Sequence, residues 1–352
     1  MDKVKIGITI GDMNGIGPEV IIKALAGNPA TQHIIPIIYG SSKLMAYHKN
    51  IVKSVDFSFS SIGDAKNAYR NKANVLNCWN EDVNIELGEI TEQGGKFAHI
   101  SLDRATQDAK EGLIDAIVTA PIHKKAMQLA GFQYPGHTEF LTEKFGTKNS
   151  LMMMVSDTLK VALVTNHEPL FELKEKITLD RIKTKLKLLN RTLRQDFGIE
   201  KPTMAILGIN PHAGDDGAIG KEEEQLVRPV IIEAKKNGIL AMGPYPADGF
   251  FGSSKFKKVD GILAMYHDQG LIPFKTLSFG QGVNYTAGLP VVRTSPDHGT
   301  AYDLAGRNMA DPGSMRSAIN LAIDLVRNKK LHKEIHANPL KKREEKILSG
   351  PQ

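Results

Sequence analysis

The chain has 352 residues, 41% of them hydrophobic and 24% charged, which is the composition of an ordinary globular protein long enough for about two domains. Its net charge of +6, from 45 Lys and Arg against 39 Asp and Glu, comes with only 6% aromatic residues, which argues against a nucleic-acid partner and suits a phosphorylated or carboxylated small substrate. No apolar run approaches the roughly 20 residues of a membrane span, and the single Cys78 excludes an internal disulfide; with no signal-peptide pattern in MDKVKIGITIG, a cytoplasmic protein without membrane contact is expected.

In chain order, strands are predicted at 4–10, 34–39, 115–119, 151–155, 160–165, 203–209 and 260–266. Helices are predicted at 17–27, 101–112, 122–130, 138–145, 178–197, 221–237 and 313–328. The clearest is 178–197, where Leu179, Ile182, Leu186, Leu189 and Leu193 recur at helical spacing before Gly198. The KKREEK run at 341–346 reads as a solvated helix end. Alternation of this kind implies an α/β fold with a mostly parallel sheet covered by helices.

The first strand leads into GDMNGIGPEV, with Gly11, Gly15, Gly17 and Pro18. This is an anion cradle at a helix start or a plain strand–helix turn; it is neither a dinucleotide fingerprint nor a Walker loop. His123 follows DAIVTAP and reads as a capping or surface residue. In YPGHTEF, His137 and Thr138 open another helix, where Thr138 is an N-cap or both side chains meet an anion.

Three apolar runs end in histidine: KVALVTNH at His167, TMAILGINPH at His212 and GILAMYHD at His267–Asp268. Ligands bind outside the carboxyl ends of parallel strands. If these strands are neighbours, three imidazoles converge on a divalent cation that activates an oxygen-bearing substrate. Asp268 is then a further ligand or an orienting partner. Lys275, Asn284 and Arg293 lie on or after strand-like stretches around 275–293, and Arg293 forks onto an anion or joins an ion pair. Residues 294–315, rich in Gly, Asp and Asn, read as a long functional loop.

Taken together, GDMNGIGPE, VTAPIHK, PGHTEFL, NPHAG, YHDQGLIPFK and GVNYTAGLPVVRTSPDHGTAYDLAG resemble the 4-hydroxythreonine-4-phosphate dehydrogenase family over nearly the whole chain. The first and last of these also look like loops of isopropylmalate and isocitrate dehydrogenases. The resemblance implies two α/β/α domains with a cleft between them, 1–135 with 300–352 and 136–299. It implies a zinc, magnesium or cobalt ion on His167, His212 and His267, with ligands drawn from both subunits of a homodimer. Substrate contacts would come from His137, Thr138, Lys275, Asn284 and Arg293. NAD or NADP would lie along His298, Gly299 and Asn308, and Asp248, Asp268 and Lys275 would serve catalysis, the two aspartates by orienting or by relaying a proton.

The implied reaction is oxidation of 4-phosphohydroxy-L-threonine at C3, followed by loss of CO2, in pyridoxine 5'-phosphate biosynthesis. The same chemistry on threonate or erythronate 4-phosphate is the alternative, and phosphoester hydrolysis is a rival from another class. Two departures stand out: Met13–Asn14 where the family commonly has Pro-Ala, and Asp215–Asp216 where Glu-Gly is usual.

Overall fold

The computed structural model describes residues 3–52, 56–278 and 280–338; the 341–346 run lies outside them. Among the described residues twelve strands form one sheet: β1 (Val4–Thr9), β2 (Ile34–Gly40), β3 (Phe59–Ile62), β4 (Ala73–Asn77), β5 (Ala116–Thr119), β6 (Leu151–Val155), β7 (Lys160–Leu163), β8 (Thr203–Leu207), β9 (Leu240–Tyr245), β10 (Gly261–Ala264), β11 (Val283–Ala287) and β12 (Val292–Pro296). Eleven α-helices accompany them among the described residues: α1 (Gly17–Leu25), α2 (Ser42–Ile51), α3 (Glu92–Lys110), α4 (Lys124–Leu129), α5 (His137–Lys144), α6 (Leu173–Lys176), α7 (Leu179–Gln195), α8 (Arg228–Lys236), α9 (Ala247–Gly252), α10 (His267–Ser278) and α11 (Gly313–Ile335).

The strand order is β3-β4-β2-β1-β5-β12-β11-β6-β7-β10-β8-β9. The first six run parallel. Three antiparallel pairings, β12–β11, β11–β6 and β6–β7, then reverse the direction. The last four, β7, β10, β8 and β9, are parallel again. The expected mostly parallel α/β architecture is therefore present, with both blocks hydrogen-bonded into a single sheet. Central strands such as β2 are buried along their whole length, as their Ile-rich runs require when helices cover both faces.

β3, β4 and β9 were not expected. The first two are short and polar, and β9 is a half-exposed edge strand containing Pro244, which weakens a strand signal. Lys275 belongs to α10 rather than to a strand-like stretch, because a helix opens at His267 directly after β10. The helix expected at 101–112 begins at Glu92, with Thr91 accepting from Gly94 N. Gly94 and Gly95 weaken its early pattern. Gly95 is required: a Cβ there would sit 2.0 Å from Ala126 O on the adjoining α4.

A candidate active site of imidazoles and buried donors

β7, β10 and β8 are adjacent and parallel, so their carboxyl ends share one edge of the sheet. His167 and His267 meet there with ring centroids 5.8 Å apart. They line an open cavity of about 430 Å³ with Asn166, Glu168, Tyr266 and Asp268. His267 Nδ1 lies 2.8 Å from Asp268 Oδ1; an Nδ1–H donated to that carboxylate leaves the Nε2 lone pair outward, the usual arrangement of a metal-ligating imidazole. Burial, then the Lys124 cation, hold the His167 pKa below its ordinary value, so this ring offers a lone pair at neutral pH. Arg181 donates to Val164 O at 2.9 Å and pairs with Glu168, fixing the strand end that carries His167.

His212 does not join them. It is exposed on a turn in which His212, Ala213, Gly214, Asp215 and Asp216 all have left-handed φ between 44° and 83°. Each non-Gly residue in that region costs roughly 1–2 kcal/mol. Buried Glu223 supports the turn's entry: Oε1 accepts from Ile209 N and Asn210 N at 2.7 Å each, and Oε2 accepts from Asn210 Nδ2 at 3.0 Å. Among the described residues no three His, Cys, Asp or Glu side chains gather as a metal-binding group. Asp248 is exposed in the first turn of α9, which packs on the His212 turn.

A second cluster lies on the sheet's α5 side. Arg293 on β12 is 2% exposed. Its Nη1 donates to Thr286 Oγ1 at 3.0 Å and its Nη2 to Thr119 Oγ1 at 2.7 Å, while Nε has no partner. Among the described residues no carboxylate forms an ion pair with it. Burial pushes its pKa down to about 10, with Glu139 opposing, so it remains a cation at neutral pH. His137 is held neutral by burial and by Arg293, and its Nε2 is also buried without a partner. Thr138 Oγ1 lies 3.4 Å from Thr286 Oγ1, and Asn284 Oδ1 on β11 is buried and unpaired. Arg293 Nε–H, and His137 Nε2 in its Nε2–H tautomer, are unpaired donors beside a buried cation, which an anionic ligand satisfies. Lys275 pairs with Asp297 Oδ1 at 3.2 Å, joining α10 to the loop after β12.

That loop carries His298, Gly299 and Asn308. His298 Nε2 and Asn308 Oδ1 are buried without partners, and Asn308 has φ +56°. Asp12 and Tyr302 lie inside the quoted motifs but carry no spacing signal of their own. Tyr302 donates to Asp12 Oδ2 at 2.7 Å and stacks on His123 with centroids 5.1 Å apart. His123 stands at the N-cap position of α4 without making a capping bond, and its Nδ1 is buried and unpaired. The glycine-rich turn is a packing turn. Its Asp12, Gly15 and Ile16 N–H groups donate to Pro121 O, Asp12 O and Thr300 O, and a Cβ on Gly15 would lie 2.8 Å from Thr300 O.

Both departures have structural reasons. Buried Asn14 donates through Nδ2 to Thr91 Oγ1 at 2.9 Å and accepts at Oδ1 from Glu86 N at 2.9 Å, pinning the segment before α3. Asp216, at φ +49°, occupies a backbone conformation that explains the usual glycine; Asp tolerates it, and the side chain pairs with Arg228 at 2.8 Å.

A family model described as pyridoxal phosphate biosynthetic protein PdxA matches residues 32–322. A 4-hydroxythreonine-4-phosphate dehydrogenase of Bacteroides thetaiotaomicron is 48% identical over 342 residues, covering 97% of this chain and 94% of the relative. A relative in Oceanobacillus iheyensis, named as a D-threonate 4-phosphate dehydrogenase, is 40% identical over 92% of this chain and 98% of its own length. The crystal structure of the Klebsiella pneumoniae 4-hydroxythreonine-4-phosphate dehydrogenase superposes at a TM-score of 0.80 with 37% identity, covering 93% of this chain and 98% of that one. Isocitrate dehydrogenase from Methylococcus capsulatus, at 14% identity and a TM-score of 0.50 over 95% of this chain and 89% of that one, shares the fold alone.

Proposed function

The chain belongs to the family of the pyridoxal phosphate biosynthetic protein PdxA, and from that premise we propose that it oxidises 4-phosphohydroxy-L-threonine at C3 with NAD or NADP. The alcohol becomes a ketone, one hydride leaves for the nicotinamide and one proton for a base. The resulting 2-amino-3-oxo-4-phosphooxybutanoate loses CO2 to give 3-amino-2-oxopropyl phosphate.

The observation that carries this reading is the buried, carboxylate-free Arg293 beside the orphaned Nε2 of His137. A lone buried cation is several kcal/mol unfavourable unless an anion joins it, and the substrate brings a phosphate and a carboxylate. Arg293, His137, Thr138, Asn284 and Lys275 bind and orient those groups.

The histidine pair fits a divalent ion by its chemistry: two imidazoles, one with its Nδ1 held by Asp268. A zinc, magnesium or cobalt ion held by His167, His267 and His212 would polarise the C3 oxygen, and a nicotinamide along His298, Gly299 and Asn308 would accept the hydride. Because His212 stands apart within one chain, we assign it to the site of a second subunit in a homodimer. Leu170 and Phe171, 69% and 97% exposed beside the histidine pair, support burial by such a partner. Asp268 orients His267, and Asp248 would arrive with the His212 turn to take the proton. The division into 1–135 with 300–352 and 136–299 would place β1–β5 in one unit and β6–β11 in the other, with β12 at 292–296 pairing with β5 across that boundary.

The Oceanobacillus relative favours one second reading, the same oxidation of D-threonate 4-phosphate. The test is a panel of kcat/KM values, read as reduced nicotinamide, for 4-phosphohydroxy-L-threonine and for threonate and erythronate 4-phosphates. The proposal expects the first to lead by at least about tenfold. A lead for threonate 4-phosphate installs the second reading, and phosphate release without nicotinamide reduction overturns both.

A further inference from the structure

Arg293 is flanked by β5 and β11, and each contributes a threonine. Thr119 lies two residues beyond Ile117, the Cα partner of Arg293, and so on the same face of the sheet. Thr286 lies two beyond Asn284, which pairs with Ser295, itself two beyond Arg293. Both threonines are 0% exposed. A buried hydroxyl in a sheet interior normally bonds a nearby carbonyl, as Thr294 Oγ1 on the opposite face does with Ala318 O at 2.8 Å. Thr119 and Thr286 instead each receive one terminal nitrogen of the same guanidinium.

We propose that Thr119 and Thr286 are positioning residues that hold the Arg293 guanidinium in one orientation for the substrate's anionic group. The inference rests on the anion-binding reading of Arg293 given above. Guanidinium only donates, so both threonine oxygens accept from it. Of the five N–H groups, Nε–H and the second hydrogen on each terminal nitrogen stay available to an oxyanion. Each threonine hydrogen is likewise free to donate onward. That of Thr286 lies within reach of Thr138 Oγ1, so the clamp on the sheet and the first turn of α5 are joined through one hydroxyl. Because the threonines carry no charge, they orient the cation without neutralising it; a carboxylate in either place would compete with the substrate. The family motif passes through Thr286, but its type and spacing alone give no hint of this role.

The experiment uses Thr286→Val and Thr119→Val, which keep the shape and remove the acceptor, with serine at each position as the conservative variant. Inorganic phosphate binding by calorimetry and KM with kcat for 4-phosphohydroxy-L-threonine are read beside thermal melts. Each valine variant is expected to weaken phosphate binding and raise KM about tenfold, more than kcat falls, as loss of one charge-assisted bond implies. Each serine variant should return within about twofold of wild type.

A folded valine variant with wild-type phosphate affinity and KM overturns the proposal, as does a serine variant as impaired as the valine. If a valine variant melts too low to assay, alanine at that position is read by the same criteria. Arg293→Ala separates the two levels. If it binds phosphate as wild type does, the anion-clamp reading itself fails; if it alone loses binding, only the role of the threonines fails.

Discussion

A buried arginine whose side-chain partners are hydroxyls is a costly arrangement on its own, and on the proposed function a substrate anion offsets that cost at Arg293. Arg293→Ala is expected to lower kcat/KM about 30- to 100-fold, mostly through KM, consistent with loss of charge-assisted bonds. Arg293→Lys should recover little, because an ammonium cannot span Thr119 and Thr286 as a planar fork does. Unchanged steady-state kinetics in either variant would contradict the assignment.

At this scale much was legible. His137, Thr138 and Arg293 do lie together, and His167 meets His267. Their neighbours Thr119, Thr286, Asp12 and Tyr302 were not singled out, since a single hydroxyl or carboxylate has no spacing signature until pairing brings distant segments side by side.

Two elements stabilise the site through unusual backbone or buried polar groups. In the left-handed turn that presents His212, Asp216→Gly should change stability by less than about 1 kcal/mol, whereas Asp216→Val should cost about 1–2 kcal/mol, measured by urea denaturation. Equal effects of both would deny that φ governs this position.

The glycine-rich turn is held by α2, where buried His48 Nε2 lies 3.0 Å from Met13 O. Burial pushes the His48 pKa down to about 4 from an ordinary 6.5. Below pH 6.5 the unfolded chain takes up a proton that the folded chain refuses, so stability is full above 6.5 and falls as pH drops towards 4. The loss is about 3 kcal/mol at most. His48→Gln keeps a donor for Met13 O and should flatten this part of the pH profile of urea midpoints; a profile identical to wild type would refute it. Long periodic elements such as α7 were readable from the sequence. The start of α3 was hidden by Gly94–Gly95 and β9 by Pro244, places where close backbone packing and an edge position outweigh local propensity.

Over the whole molecule, the α/β class followed from strand–helix alternation. The reversal of strand direction through β11, β6 and β7 did not, because strand pairing is set by tertiary contacts rather than by periodicity. The resemblance implied ligands from both subunits without saying which histidine crosses over; within one chain His212 stands apart from His167 and His267, and the proposed homodimer would bring it to them. Mixed dimers test that most directly. His167→Ala and His212→Ala homodimers should both bind metal poorly and fail to reduce nicotinamide. Unfolding and refolding the two together should restore one intact site in each heterodimer, with bound metal and turnover approaching a quarter of wild type for random pairing of equal amounts. Recovery of neither metal nor activity in verified heterodimers would contradict a site shared between subunits.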